Sequence, residues 1–279
     1  MTTTNLISAA ELVSLLGAPD LRVVDARFEL MDPAYGAAAY AAGHVPGAVH
    51  LDLDADLSSQ PARHGGRHPL PAMDVFAAKL GALGLSQETP VVVYDQSGAM
   101  YAARAWWLLR YAGHENVRYL DGGLAAYLAA GGELSTEPAR HPEATFELRL
   151  RPDMVVDAEH VSARRQDPDV VIMDARAGER YRGEVEPLDP KAGHIPGAIN
   201  RFYQDALRDG HFKDATELRE FLAPAHAASE VIAYCGSGVS GAHLVLALEE
   251  AGVKGAKLYA GSWSDWSSYD QLPVATGEE

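Results

Sequence analysis

The chain has 279 residues, 47% hydrophobic and 22% charged, a balance that can bury one large core or two ordinary ones and does not mark disorder. Its formal charge of -16, with the Lys and Arg residues scattered rather than clustered, repels phosphate backbones and anionic lipid and excludes nucleic acid as a partner. The single cysteine, Cys235, excludes an internal disulfide and any site built on several thiolates, and it fits a reducing cytoplasm.

In chain order, the opening MTTTNLISAAELVSLLGAPD carries no basic region ahead of its apolar residues. No apolar run approaches the roughly 20 residues that span a bilayer, so a cytoplasmic location off the membrane is expected. The first half then reads as LRVVDAR (Leu21 to Arg27), AGHVPGAVHLD (Ala42 to Asp52), PVVVYDQSG (Pro90 to Gly98), a helical MYAARAWWLLRYAG, and VRYLDGGLAAY (Val117 to Tyr127). A polar stretch rich in Gly and Pro follows, and it places a linker over residues 136–154, part of which could instead pack as an extended segment on one domain. The second half answers in the same order with VVIMDAR (Val170 to Arg176), AGHIPGAIN (Ala192 to Asn200), EVIAYCGSG (Glu230 to Gly238) and AKLYAGSWSDW (Ala256 to Trp266). Its clearest helix is predicted over Ser240 to Ala251, with Leu244, Val245 and Leu248 on one side and Gly252 at the C′ position. Four matching segments at nearly equal spacing predict two homologous domains, residues 1–135 and 155–279. Short Val/Ile runs alternating with helical patterns predict an α/β fold, each domain a parallel sheet flanked by helices on both faces.

The duplicated turn differs where chemistry could sit. Strand VVVY ends in Asp95-Gln96-Ser97-Gly98, whereas VIAY ends in Cys235-Gly236-Ser237-Gly238-Val239-Ser240. A thiol at the carboxyl end of a parallel strand, just before a helix, lies where open α/β sheets bind ligands. The loop amides and the positive end of the following helix favour an anion there, which eases thiolate formation. Gly236 and Gly238 remove Cβ atoms that would obstruct the curl. A lone cysteine is more commonly a buried structural residue, but the strand-loop-helix placement favours a nucleophile.

The paired GHVPGA and GHIPGA segments, the CGSGVS loop and the closing YAGSWSDW resemble the tandem rhodanese-domain sulfurtransferases over essentially the whole chain. The loop is most similar to the C-G-S-G-V-T pattern of the 3-mercaptopyruvate sulfurtransferases, with Ser240 in place of Thr. In that family the first domain lacks the cysteine, which matches Asp95. The resemblance implies a catalytic Cys235 that carries sulfur as a persulfide, no cofactor, and an active site in the cleft between the domains; no metal is expected, and a thiol, thioredoxin, cyanide or a dedicated protein is each compatible as acceptor. It also implies that Arg180 holds a donor carboxylate, with Arg182 or Arg201 as a possible companion, because a second arginine of many animal members is Leu188 here. Ser237 either assists the donor and the thiol proton or caps the helix. A first-domain proton relay implies His44, with Asp25 and Asp32 competing for the acid; His194 is read as structural.

Charge decides between donors. Thiosulfate is a dianion, and the resembling thiosulfate sulfurtransferases place cations just after the cysteine, where this chain has Gly236 and Ser237. A neutral loop suits a monoanionic keto acid such as 3-mercaptopyruvate better, leaving thiosulfate as the alternative. Two other enzyme classes fit less well. His64 and His68 are separated by Gly-Gly and followed by Pro, which spoils a helical metal-ligand pair. A cysteine phosphatase needs an arginine at the far end of its loop, and no Arg or Lys lies between Cys235 and Leu248. A non-catalytic binding module is the remaining alternative, against which the intact CGSGVS argues. Trp106, Trp107, Trp263 and Trp266 are expected in the core or at an interface, without chemistry.

Overall fold

The computed structural model describes residues 4–96 and 100–278; Ser97 and Gly98 of the first-half loop lie outside them. The chain divides into two compact units whose sequences interleave. The first unit is Met1–Ser59, Leu70–Arg151 and Asp209–Phe212; the second is Gln60–Pro69, Pro152–Arg208 and Lys213–Glu279.

In the first unit the strands are β1 (Leu6–Ile7), β2 (Arg22–Asp25), β3 (Ala48–His50), β4 (Val91–Tyr94) and β5 (Val117–Leu120), and all pair in parallel in the order β1-β5-β4-β2-β3. Helices α1 (Ala9–Leu15), α2 (Tyr35–Ala42), α3 (Met73–Ala82), α4 (Met100–Tyr111) and α5 (Gly123–Ala129) connect them. The second unit repeats the plan with β6 (Val155–Val156), β7 (Val170–Asp174), β8 (Ala198–Asn200), β11 (Glu230–Tyr234) and β12 (Lys257–Tyr259), ordered β6-β12-β11-β7-β8. Its helices are α6 (Ala158–Arg164), α7 (Gly178–Tyr181), α8 (Ala215–Phe221), α9 (Ser240–Glu250) and α10 (Ser262–Trp266). The two-residue strands β9 (Leu207–Arg208) and β10 (His211–Phe212) stand outside both five-stranded sheets.

The central strands are buried along their length, β2 and β4 at every residue, as parallel strands covered on both faces require. The helices that follow β4 and β11 are apolar nearly all round: α4 is buried from Tyr101 to Leu109 and α9 from Ser240 to Leu248. All four tryptophans are fully buried. Helix α9 ends one residue before the expected Ala251, and Gly252 adopts φ +88°, the left-handed conformation of a C′ glycine.

Each sheet carries the same buried polar knot. Arg27 forms a bidentate pair with Asp25 and reaches Gly43 O, while Tyr94 donates to Asp25; Arg176, Asp174, Gly193 O and Tyr234 repeat the set. Burial makes an unpaired charge costly, so these carboxylates are committed to structure.

The 136–154 segment does not behave as a free tether. Ala144 N–H donates to Gly81 O at 2.9 Å, Arg149 and Arg151 donate to Ala112 O and Tyr111 O at 3.0 Å, and Phe146 is buried, so this stretch packs as an extended segment on the first unit. Residues 136–151 form no helix or strand, whereas Pro152–Met154 form a short 3-10 helix that belongs to the second unit. No helix among the described residues is long and apolar enough to cross a membrane.

Candidate active site

Cys235 follows β11 directly and is 2% exposed. Its sulfur accepts the amide of Gly238 at 3.1 Å, and Gly238 has φ +81°, a conformation costly for a residue with a Cβ. That turn brings the Gly238 amide onto Sγ, just ahead of α9 in the chain, where it stabilises negative charge. The loop is gripped from the β12–α10 turn: Trp263 N–H donates to Cys235 O and Ser264 N–H to Gly236 O, both at 2.9 Å. Ser262 is one of two non-glycine residues with positive φ among the described residues, at +56°. Its hydroxyl accepts from Cys235 N–H at 3.0 Å, donates to Tyr259 O at 2.9 Å, and lies 3.9 Å from Sγ. Backbone strain of this kind persists where surrounding structure enforces it.

Ser237, 7% exposed, shares a 2.7 Å hydrogen bond with His68 Nδ1. The hydroxyl is therefore engaged with an imidazole, and α9 has no side-chain bond at its N-cap. His68 comes from the 60–69 segment of the second unit, which lies tightly on the β12–α10 turn. Gly65 N–H donates to Asp265 at 2.7 Å, Arg67 N–H to Ser264 Oγ at 3.0 Å, and His64 bonds Ser268 at 2.7 Å while stacking on Tyr269. A Cβ on Gly66 would lie 2.5 Å from Gly261 O, so only glycine allows this approach. The Gly-Gly that argued against a metal pair is thus the device that lets His68 reach Ser237.

His44 and both acids expected beside it are placed elsewhere. His44 Nδ1 donates to Tyr40 O at 2.7 Å, Nε2 lies 3.1 Å from Glu137 O, and the ring stacks on Tyr40. His194 repeats this with Tyr181, bonding its carbonyl at 2.8 Å and stacking at 3.8 Å. Both GH-V/I-PGA histidines therefore fasten the backbone, Asp25 belongs to the buried knot, and Asp32 is exposed at a turn. The imidazole bonded to Ser237 is His68, not His44.

Arg180 lies beside the loop. A Cβ on Gly236 would lie 3.4 Å from its Nη1 and 3.0 Å from Arg67 Nη2, so the glycine here provides space, while its φ is ordinary. Glu186 and Asp189, both buried, hold the other edge of Arg180 at 2.7 and 3.3 Å. Asp189 also pairs with Arg67. Burial raises the pKa of Asp189 despite these arginines, and Glu186 adds to the rise. The other two arginines do not join: Arg182 pairs at the surface with Glu184 and Glu278, and Arg201 donates to the carbonyls of Phe221 and Asn200. Arg67 and His68 escaped the sequence reading because nothing local ties HGGRHP to a loop some 170 positions away, the span of the His68–Ser237 bond being 169.

Residues 8–130 and 157–269 both match the rhodanese-like domain. The chain belongs to the rhodanese family. The chain is 45% identical over 285 residues to the probable 3-mercaptopyruvate sulfurtransferase of Pseudomonas aeruginosa, covering all of both chains. It is 34% identical over 266 residues to the thiosulfate sulfurtransferase of Cricetulus griseus, covering 92% of this chain and 88% of the relative. Among solved structures, the rhodanese-fold SseA from Escherichia coli superposes with a TM-score of 0.83 at 34% identity, covering 94% of this chain and 100% of that one.

Proposed function

We propose that this chain is a sulfurtransferase that takes the thiol sulfur of 3-mercaptopyruvate onto Cys235, where it becomes the outer sulfur of a persulfide, and passes it to a thiol or cyanide. The observation that carries this reading is the Cys235 sulfur at the amino end of α9, receiving the Gly238 amide, with the Ser237–His68 pair two residues along the loop. The Cys235 thiolate attacks the donor sulfur, and a new S–S bond forms as the C–S bond breaks. The bonding pair leaves on the methylene carbon as the enolate of pyruvate, which takes up a proton. Ser237 and His68 form the proton path to that carbon, and Arg180 holds the carboxylate. The acceptor then attacks the outer sulfur and returns the Cys235 thiolate, so no oxidant or cofactor enters the balance.

Thiosulfate is the second reading, favoured by the Cricetulus griseus relative of that name. The uncharged Gly236-Ser237 pair weighs against it, since a dianion gains most from cations beside the thiolate. The deciding experiment measures kcat/KM for both donors with one acceptor and weighs the intact protein after each donor. A gain of one sulfur atom from 3-mercaptopyruvate, discharged by cyanide as thiocyanate and absent in Cys235→Ser, is expected. No gain from either donor would leave the second unit a binding module; a gain from thiosulfate alone would transfer the assignment.

A further inference from the structure

Six charged side chains are linked beside the Cys235 loop: Arg67, Arg176 and Arg180, and Asp174, Glu186 and Asp189. Three cations balance three carboxylates. Within this cluster Arg176 is engaged by acids on all sides, through Nε and Nη2 to Asp174 and Nη1 to Glu186, whereas the acids occupy one edge of the other two: Arg180 uses Nε and Nη2 on Glu186 and Nη2 on Asp189, and Arg67 uses Nη1 on Asp189. The remaining terminal nitrogens, Arg180 Nη1 and Arg67 Nη2, both face Gly236, 3.4 and 3.0 Å from where a Cβ would stand. Arg67 Nε is buried without a hydrogen-bond partner. Two guanidinium nitrogens converging on the residue next to the nucleophile match a carboxylate, which accepts through two oxygens.

We propose that Arg67 is the second guanidinium of the donor-carboxylate receptor, acting with Arg180, and that Asp189, bound to both, limits that receptor to a single negative charge. The inference rests on the donor reading above and gives it a physical cause: a balanced cluster compensates a monoanion better than a dianion. It also explains the position of Arg67 in a segment remote from Arg180. The 60–69 segment is pinned through Gly65, Gly66 and the Arg67 amide, so the guanidinium arrives on a fixed backbone.

The test uses the full chain. Arg67→Gln should raise KM for 3-mercaptopyruvate about tenfold or more while kcat stays within about threefold, and Arg67→Lys should recover part, because an ammonium replaces the charge but not the planar edge. Asp189→Asn should raise kcat/KM for thiosulfate several-fold relative to 3-mercaptopyruvate, since it removes one negative charge from the cluster. Alkylation of Cys235 gives a readout free of the donor question: iodoacetate carries a carboxylate and iodoacetamide does not, so their rate ratio should fall about tenfold in Arg67→Gln. If the single variant loses its thermal transition, the double variant Arg67→Gln with Asp189→Asn, which removes the pair together, takes its place. A folded variant with unchanged KM and unchanged alkylation ratio overturns the role of Arg67. A thiosulfate response in Asp189→Asn that is flat or falling overturns the role of Asp189. Should the wild-type chain accept no sulfur from 3-mercaptopyruvate while the alkylation ratio still falls, the donor assignment fails and the receptor stands.

Discussion

The residues that directly follow β4 and β11 are held by the same backbone bonds and carry different chemistry. In the first unit, Leu124 and Ala125 donate their amides to the carbonyls of Asp95 and Gln96 at 2.8 and 3.1 Å; in the second, Trp263 and Ser264 do the same for Cys235 and Gly236. Where the first turn ends in Asp95, the carboxylate caps α4 by accepting Ala102 N–H at 2.9 Å. Where the second ends in Cys235, the sulfur accepts the loop amide instead. The left-handed position behind each turn is Gly123 with φ 59° in one copy and Ser262 with φ 56° in the other, and only the serine adds a hydroxyl to the strand end. Duplication supplied the frame twice, and a few side chains make one copy reactive.

The largest effect should come from making the second turn resemble the first. Cys235→Asp is expected to abolish sulfur transfer, by at least about 10³-fold, while the chain still folds, because a carboxylate at this strand end is what the first unit already tolerates. Activity assays with a thermal melt check it, and residual turnover would show that the two turns do not differ in the way described. Next is His68, which has no counterpart among the residues repeated between the halves. His68→Ala should lower kcat about 10²-fold by breaking the proton path, whereas His44→Ala should cost stability and leave the rate per folded molecule near normal. Equal rate losses in the two would erase that contrast.

A third difference lies within the helices. His243 of α9 is fully buried where α4 has Ala103, and burial pushes its pKa down to about 3. The unfolded chain therefore takes up a proton near pH 6.5 that the folded chain does not, and the stability of the second unit falls as pH drops from about 6.5 towards 3, at about 1.4 kcal/mol per pH unit. Urea unfolding at pH 5 and 7.5 should show a loss of about 2 kcal/mol that His243→Leu removes. The smallest effect is expected for Ser262→Gly, which restores the first-unit residue. Transfer should slow about tenfold as Cys235 loses a hydrogen-bond partner, with no fall in melting temperature because the strained φ is relieved. A large drop in stability would mean that the serine holds the fold rather than the sulfur.

Much of this was legible in the sequence, for definite reasons. Val/Ile runs at the repeat spacing give the two sheets, and Gly252 after an apolar face gives the end of α9, because burial and φ preferences act locally. The placement of Cys235 and the curl with Gly236 and Gly238 are readable for the same reason: they sit on elements whose neighbours in sequence are neighbours in space; Arg180 is singled out by the family resemblance instead. His68 and Arg67 are not readable, since their partners, Ser237 and Asp189, lie 169 and 122 positions away. The family resemblance points to His44 instead, although the repetition of its GH-V/I-PGA motif at His194 is consistent with a part of the frame. At Leu188 the segment itself offers no cation; in the receptor proposed above, the second guanidinium is that of Arg67, from outside the segment.

The interleaving of the two units bears on how such a chain can be recombined. A gene cut at the repeat boundary near residue 152 would carry the nucleophile on one fragment and His68 with Arg67 on the other. A chimera that joins the first half of one relative to the second half of another would therefore inherit its thiol from one parent and its imidazole from the other. In hybrids of this kind, the short stretch 60–69 should travel with the carboxyl-terminal parent, leaving a mosaic gene whose functional unit is discontinuous in its coding order.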